Sequence, residues 1–359
     1  MGKLLNLFKL IFLLLLSINL LNCFVPEIGF DALWYHLTLP KLYLSSHRYF
    51  FPGGLLYYSA MPRLAELFFI PLIKYLGFIG PKLLQFTAGL LICYLLFKNT
   101  KKLNLRPLFS WLAVCLFYSI WLISWESSSG YVDLIRGALE YTGVYLAIYG
   151  HPYVAGIFIG LALGVKWQAL VGLLAVLALT KGRAIITALP IFLPWMLVAK
   201  HFTGNYFYPI NEPFMIAAQL SQVSQNYYQF AQIIKRLLTA PVFLTYPTQD
   251  FLSPLAGVFP ISSIICLFSS NKSIRKLSFV AIYAVGALLL TPPPTTRFLI
   301  PYLPLMVLSF VYLISKLSQK FQNRFLFISL LSCLLILAGR SLVLYRNFPY
   351  LMGQETVNQ

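Results

Sequence analysis

Residues 83–106 read LLQFTAGLLICYLLFKNTKKLNLR, and the two halves of that stretch belong in different solvents. Residues 83–97 carry no charge, as a segment buried in hydrocarbon requires. Lys98, Lys101, Lys102 and Arg106 then follow without a single acid among them. The same alternation recurs along the chain. Apolar runs occupy residues 10–21, 184–197 and 325–338, and acid-free basic clusters occupy 181–183, 272–276 and 316–324. Of the 359 residues, 59% are apolar and 10% charged, and the mean hydropathy is +0.79. A water-soluble fold needs more charge than this to cover its surface. The composition therefore predicts an all-α, polytopic membrane protein.

The formal charge of +18 does not indicate a nucleic-acid partner, because the basic residues fall in short clusters between apolar segments instead of forming one stripe. Cys23, Cys93, Cys115, Cys266 and Cys333 are scattered through apolar sequence with neither metal-ligand nor disulfide-framework spacing. Lys3 and Lys9 precede the first apolar run, and no A-x-A cleavage site follows it, so that run is read as a retained first span.

Placing the amino terminus and all four basic clusters in the cytoplasm fixes a map. Spans are expected at residues 8–25, 81–97, 107–124, 134–149, 153–165, 168–180, 184–199, 254–268, 277–291, 298–315 and 325–343, about eleven in all. Residues 64–77 are left out of that count. They hold Glu66, Pro71, Lys74 and Gly77, and a crossing there would carry the cluster at 98–106 outside. They suit a helix lying in the outer interface. The glycine-rich pair 153–165 and 168–180, interrupted at Lys166, reads as two short spans meeting near the outer face. One transmembrane domain, residues 1–359, is expected, with outer segments at 26–80 and 200–253; in the second, residues 229–238 look amphipathic.

The nine acids (Glu27, Asp31, Glu66, Glu126, Asp133, Glu140, Glu212, Asp250 and Glu355) all fall in outer segments or on spans entered from them. Acids contribute little to orientation, so topology alone does not demand this. A working face on the outside does. In the first outer segment, Asp31 is followed by Trp34, Tyr35 and His36; a helix there puts Asp31, Trp34 and Tyr35 on one face. In the next outer loop, Asp133, Arg136 and Glu140 repeat at helical spacing. They form either an ion-paired stripe that lowers the cost of charge at membrane depth or, for Asp133, part of a site. Lys166, Lys200 with His201, and Arg297 stand apart from the cytoplasmic clusters. Each is either a snorkelling anchor or a ligand contact. Arg297 follows a proline run, and a guanidinium suits the oxygens of a phosphate. An outward acid with outward cations fits attack by an acceptor hydroxyl on a sugar whose leaving group is a lipid phosphate. The acid serves as general base and the cations take up the growing charge.

The ordered set Asp31-Ala32-Leu33-Trp34-Tyr35-His36-Leu37 with Pro40 and Lys41, then Tyr58 through Pro62 with Glu66, resembles the first outer loop of membrane glycosyltransferases of the GT-C fold. That superfamily includes the protein mannosyltransferases and the aminoarabinose transferases of lipid A. GLALGVK at 160–166, Pro194-Trp195 through Tyr208-Pro209, and Arg297-Phe298 through Pro304 agree with it. The resemblance implies a polyprenyl-phosphate-linked sugar donor, Asp31 as catalytic base and Asp133 as a second acid. Tyr35, His36, Lys41, Glu66, Lys166 and Arg297 are the candidate substrate-binding residues. The acceptor is an unidentified hydroxyl, the partner medium is the bilayer of a cell inner or plasma membrane, and the active face is non-cytoplasmic. Ala32 replaces the second acid of the paired carboxylates usual in the mannosyltransferase loop. Ending at Gln359, the chain is expected to lack the soluble outer domain of some members. No cofactor is called for; Asp31 and Asp133 could share a divalent cation, although no spacing fixes one. A transporter or flippase of lipid-linked saccharides is the alternative, as is a fold that has lost its activity.

Overall fold

A computed structural model describes residues 2–210, 212, 230–245, 252–290 and 295–354. Among these residues there is no strand, only an isolated bridge between Gly53 and Leu56. Asp250, Glu355 and the proline run at 292–294 lie outside the described residues. So does nearly half of the outer segment expected at 200–253.

The helices are α1 (Gly2–Asn22), α2 (Thr38–Ser46), α3 (Leu64–Leu76), α4 (Ile79–Lys102), α5 (Pro107–Tyr118), α6 (Trp121–Glu126), α7 (Asp133–Ile148) and α8 (Pro152–Val165). They continue as α9 (Leu170–Thr180), α10 (Ile185–Thr203), α11 (Phe230–Thr245), α12 (Val258–Cys266), α13 (Lys272–Leu290), α14 (Leu303–Lys316) and α15 (Gln319–Leu351). Each expected span overlaps one of them, and the span at 107–124 overlaps two, α5 and α6. By length and composition α1, α4, α10, α13 and α15 can cross a membrane unaided. Several others are shorter apolar helices that lean on neighbours. The chain is an integral membrane protein.

Two helices that are apolar around their whole circumference, α5 and α14, are buried on nearly every face and form the centre of the bundle. The others wrap them and show leucines and phenylalanines outward, as on α15, where Phe327, Leu331 and Leu335 are exposed. The span expected at 107–124 is broken. Ser119 returns its hydroxyl to the Cys115 carbonyl, and Ile120 is extended. The Trp121 N–H then leaves the helix for the Leu252 carbonyl at 2.7 Å. That turn starts α6 and the loop leading to α7.

Glycine spacing sets the position of α8. A Cβ on Gly160 would lie 2.8 Å from the Ala188 carbonyl oxygen and 2.9 Å from Ile191 Cβ, and one on Gly164 would lie 2.7 Å from Trp195 Nε1. Small residues every fourth position thus let α8 lie directly on α10. Between α8 and α9 the backbone is extended at Lys166, so the pair is indeed interrupted there. The first and last membrane helices are joined by Arg340 of α15, whose Nε and Nη2 donate to Asn19 Oδ1 of α1 at 3.1 and 2.9 Å. Its Nη2 also donates to Ser128 Oγ at 2.9 Å, tying both helices to the loop before α7.

Candidate active site

Four segments far apart in sequence meet at one end of the bundle. The first leaves α1 and turns at Glu27, whose Oε1 accepts the N–H groups of Ile28 and Gly29 at 3.0 and 2.8 Å. Its Oε2 accepts the Gly130 N–H and lies 4.0 Å from Lys82 Nζ, which joins the first loop to the second. Asp31 then opens a helical stretch that widens to π-type turns over Ala32–His36. Such widening re-aims side chains and is common where function is carried. The second segment delivers Asp133 as the first residue of α7, the third is the break bearing Lys166, and the fourth is the short 3₁₀ turn Thr296–Leu299 bearing Arg297.

Arg297 links the two acids. Its Nη2 donates to Asp31 Oδ2 at 2.6 Å, and its Nε stands 3.7 Å from Asp133 Oδ2. Lys166 Nζ donates to the same Asp133 oxygen at 2.9 Å. The guanidinium of Arg297 rests on the ring of Tyr131, 5.0 Å from its centroid, and the Tyr131 hydroxyl accepts the Asp31 N–H at 3.3 Å. Asp133 is fully buried, as are Arg136 and Glu140 on the same helical face. The ion-paired stripe forms too. Arg136 Nη1 donates to Glu140 Oε1 at 2.9 Å, its Nε is 3.7 Å from Asp133 Oδ1, and Tyr302 donates its hydroxyl to Glu140 Oε2 at 2.7 Å. The stripe and the cluster are therefore one structure, with Asp133 in both.

Glu126 lies beyond the α5 span, fully buried, and among the described residues its side chain accepts only from Gln85 Nε2, at 3.2 Å. Burial, and after it the charge of Asp133, push its carboxyl up to about 8. A second cluster lies in the first outer segment. His36 Nδ1 is 2.7 Å and Arg63 Nη1 2.8 Å from Glu66 Oε1. Burial drives the His36 imidazole down to about 4 against the pull of Glu66, so at neutral pH it is uncharged and donates its Nδ1 proton. Burial raises the Glu66 carboxyl, but Arg63 and His36 outweigh it and hold it at about 2. Tyr35 is buried between the clusters, 4.1 Å from the His36 ring and 5.1 Å from the Arg63 guanidinium carbon.

Asp31, Asp133, Lys166 and Arg297 are thus brought into one cluster, with Tyr35, His36 and Glu66 beside it. Lys41 is not. It lies exposed on α2. Residues whose part the sequence did not reveal are Tyr131, Arg63, Gln85 and Glu126. For Arg63 the helical spacing to Glu66 was a legible signal; for Tyr131 and Gln85 there was none, since their partners are remote in sequence. Among the described residues no three His, Cys, Asp or Glu side chains gather to hold a metal ion. Arg297 lies between Asp31 and Asp133, the two acids that could share a divalent ion.

The cluster lies at the opening ends of α4, α7, α9 and α14, whereas Lys101 and Lys102, Lys181, and Lys316 lie at the closing ends of α4, α9 and α14. Site and basic clusters therefore occupy opposite ends of the bundle.

No protein-family model matches the sequence, and no curated protein does. Among solved structures, the chain is similar to ArnT from Cupriavidus metallidurans, seen with undecaprenyl phosphate bound and in the apo state. The TM-scores are 0.62 and 0.59 at 12% identity in both comparisons. They cover 89% and 88% of this chain and 61% of that one, so the chain spans about three-fifths of ArnT's length. At such identity the likeness is one of fold. The chain shares with ArnT a polytopic membrane fold.

Proposed function

We propose that the protein is a membrane glycosyltransferase that moves a sugar from a polyprenyl-phosphate donor to an acceptor hydroxyl, with inversion, on the non-cytoplasmic face. The observation that carries this reading is the meeting of Asp31, Asp133, Lys166 and Arg297 from four separate segments. The ArnT-like fold supports it, and so does the placing of basic clusters at the opposite end of the bundle, which by the positive-inside rule is cytoplasmic.

Asp31 is the general base. It is the carboxylate of the cluster that is open to solvent, so an acceptor can reach it. As the acceptor oxygen bonds to the anomeric carbon, its proton passes to Asp31, and the bond to the donor phosphate breaks with its electron pair left on the phosphate oxygen. That oxygen needs positive charge and no proton, which Arg297 and Lys166 supply. Asp133 is buried and holds both cations in place. Tyr35, His36 and Glu66 form the wall beside the reacting atoms, and Lys41 lies outside it.

The test is transfer of labelled sugar from polyprenyl-phosphate donors to native membrane acceptors in sided vesicles. Asp31→Asn is expected to lower the rate by roughly 10²- to 10⁴-fold, the scale of a lost general base, while the protein inserts normally. Arg297→Gln is expected to lower it by about 10²- to 10³-fold. Full transfer by the Asp31→Asn protein removes the proposed base.

A further inference from the structure

Among the described residues every cation of the cluster is already engaged by an acid. Lys166 is paired with Asp133 at 2.9 Å, Arg136 with Glu140 at 2.9 Å and Arg297 with Asp31 at 2.6 Å. Three cations face three carboxylates even before Glu126 is counted, so the empty site offers an arriving phosphate no spare positive charge. A phosphate that binds here has to take a cation from an acid.

The three pairs do not give way equally. The side chains of Asp133 and Glu140 are 0% exposed, and either one robbed of its partner is left charged and dry. The side chain of Asp31 is 18% exposed and that of Arg297 23%, so an Asp31 set free is met by water. Arg297 is also built to turn. It lies on the face of Tyr131, a contact that survives rotation over the ring, and its Nε makes no hydrogen bond among the described residues. A guanidinium that turns can grip two phosphate oxygens at once.

We propose that the donor phosphate and the Asp31 carboxylate compete for Arg297, so that donor binding is the event that frees the base. This rests on the reading of Asp31 as base and of a lipid phosphate as leaving group. In the unloaded site Arg297 holds Asp31 Oδ2 at 2.6 Å, and with it the orientation of the carboxylate that has to receive the acceptor's proton. The arriving phosphate takes the guanidinium, Asp31 swings to the acceptor hydroxyl, and transfer follows. When the phosphate leaves, Asp31 gives its proton to water and the pair closes again. Donor therefore binds before acceptor is activated, and a hydroxyl that enters an empty site meets a carboxylate still held by Arg297.

The experiment is equilibrium binding of undecaprenyl phosphate, used as the probe, to the full chain in nanodiscs. Wild type, Asp31→Asn, Arg297→Gln and the double variant are compared, each first shown to melt as wild type does. Removing the competitor is expected to tighten binding roughly tenfold in Asp31→Asn, the scale of one charge-assisted hydrogen bond. In the Arg297→Gln background the same change is expected to do nothing. An Asp31→Asn protein that binds no tighter than wild type overturns the competition. Equal tightening in both backgrounds also overturns it, because plain charge repulsion then accounts for the effect. If wild type and all variants fail to bind the lipid phosphate, the donor reading itself falls; binding without an Asp31 effect removes only the exchange.

Discussion

Asp31 and Asp133 are the same side chain in two surroundings, and the surroundings divide the work. Asp133, dry and bound by Lys166, holds charge in place; Asp31, partly wet and bound through Arg297, is free to exchange. Tyr131 supports that exchange from below. Tyr131→Leu is expected to raise the donor KM roughly tenfold through loss of about 1–2 kcal/mol of cation–π contact, whereas Tyr131→Phe keeps the ring and stays near wild type. Steady-state kinetics with varied donor check this. His36 gives a second test through stability. Its folded value of about 4 lies below the ordinary 6.5, so acidification charges the imidazole in the unfolded chain before the folded one. Stability is therefore lost as pH falls from about 6.5 toward 4, at up to ~1.4 kcal/mol per pH unit. Glu66, held at about 2, works in the same direction at lower pH, its stabilisation being present above 4.5 and lost on approach to 2. Thermal unfolding in detergent between pH 7 and 5 should show the decline in wild type and a shallower one in His36→Gln, whose amide can still donate to Glu66. A parallel pair of curves counts against a buried neutral His36.

At the scale of elements, the site depends on helix breaks. Lys166 reaches Asp133 because the chain between α8 and α9 is extended there, and α8 stands where it does because Gly160 and Gly164 leave room for α10. Gly160→Leu is expected to force the two helices apart, costing about 1–3 kcal/mol by overpacking and withdrawing Lys166 from Asp133. A lowered melting temperature together with lost transfer is the expected result; an unchanged melt means the α8–α10 approach is looser than described. Much of this was legible beforehand. The interruption at Lys166 and the helical stripe of Asp133, Arg136 and Glu140 follow from spacing, which is local information. The break at Ile120, the union of Arg340 with Asn19 and the seat of Arg297 on Tyr131 are not, because each is fixed by a partner more than a hundred residues away. Lys41 shows the limit of local reading: it is close in sequence to Tyr35 and His36, yet it lies exposed on α2 while they are buried.

For the whole molecule, the alternation of apolar runs with acid-free basic clusters made the bundle readable, since lipid and charge impose it on every span. The assembly of the site was readable only as an expectation that outward acids and cations should meet. Two consequences belong to this scale. Cysteine substituted at residue 31 should react with a membrane-impermeant thiol reagent added outside intact cells, and one at residue 104, exposed in the basic turn after α4, should react only after the membrane is opened; the reverse pattern places the cluster in the cytosol. The direct test of the central claim is a cryo-EM structure of the protein in nanodiscs with undecaprenyl phosphate. The account predicts the phosphate within hydrogen-bond reach of Arg297, the isoprenoid chain leaving toward lipid, and Asp31 turned away from the guanidinium. A phosphate seated among the basic residues at the opposite end of the bundle, or Arg297 still paired with Asp31 beside a bound lipid, would contradict it.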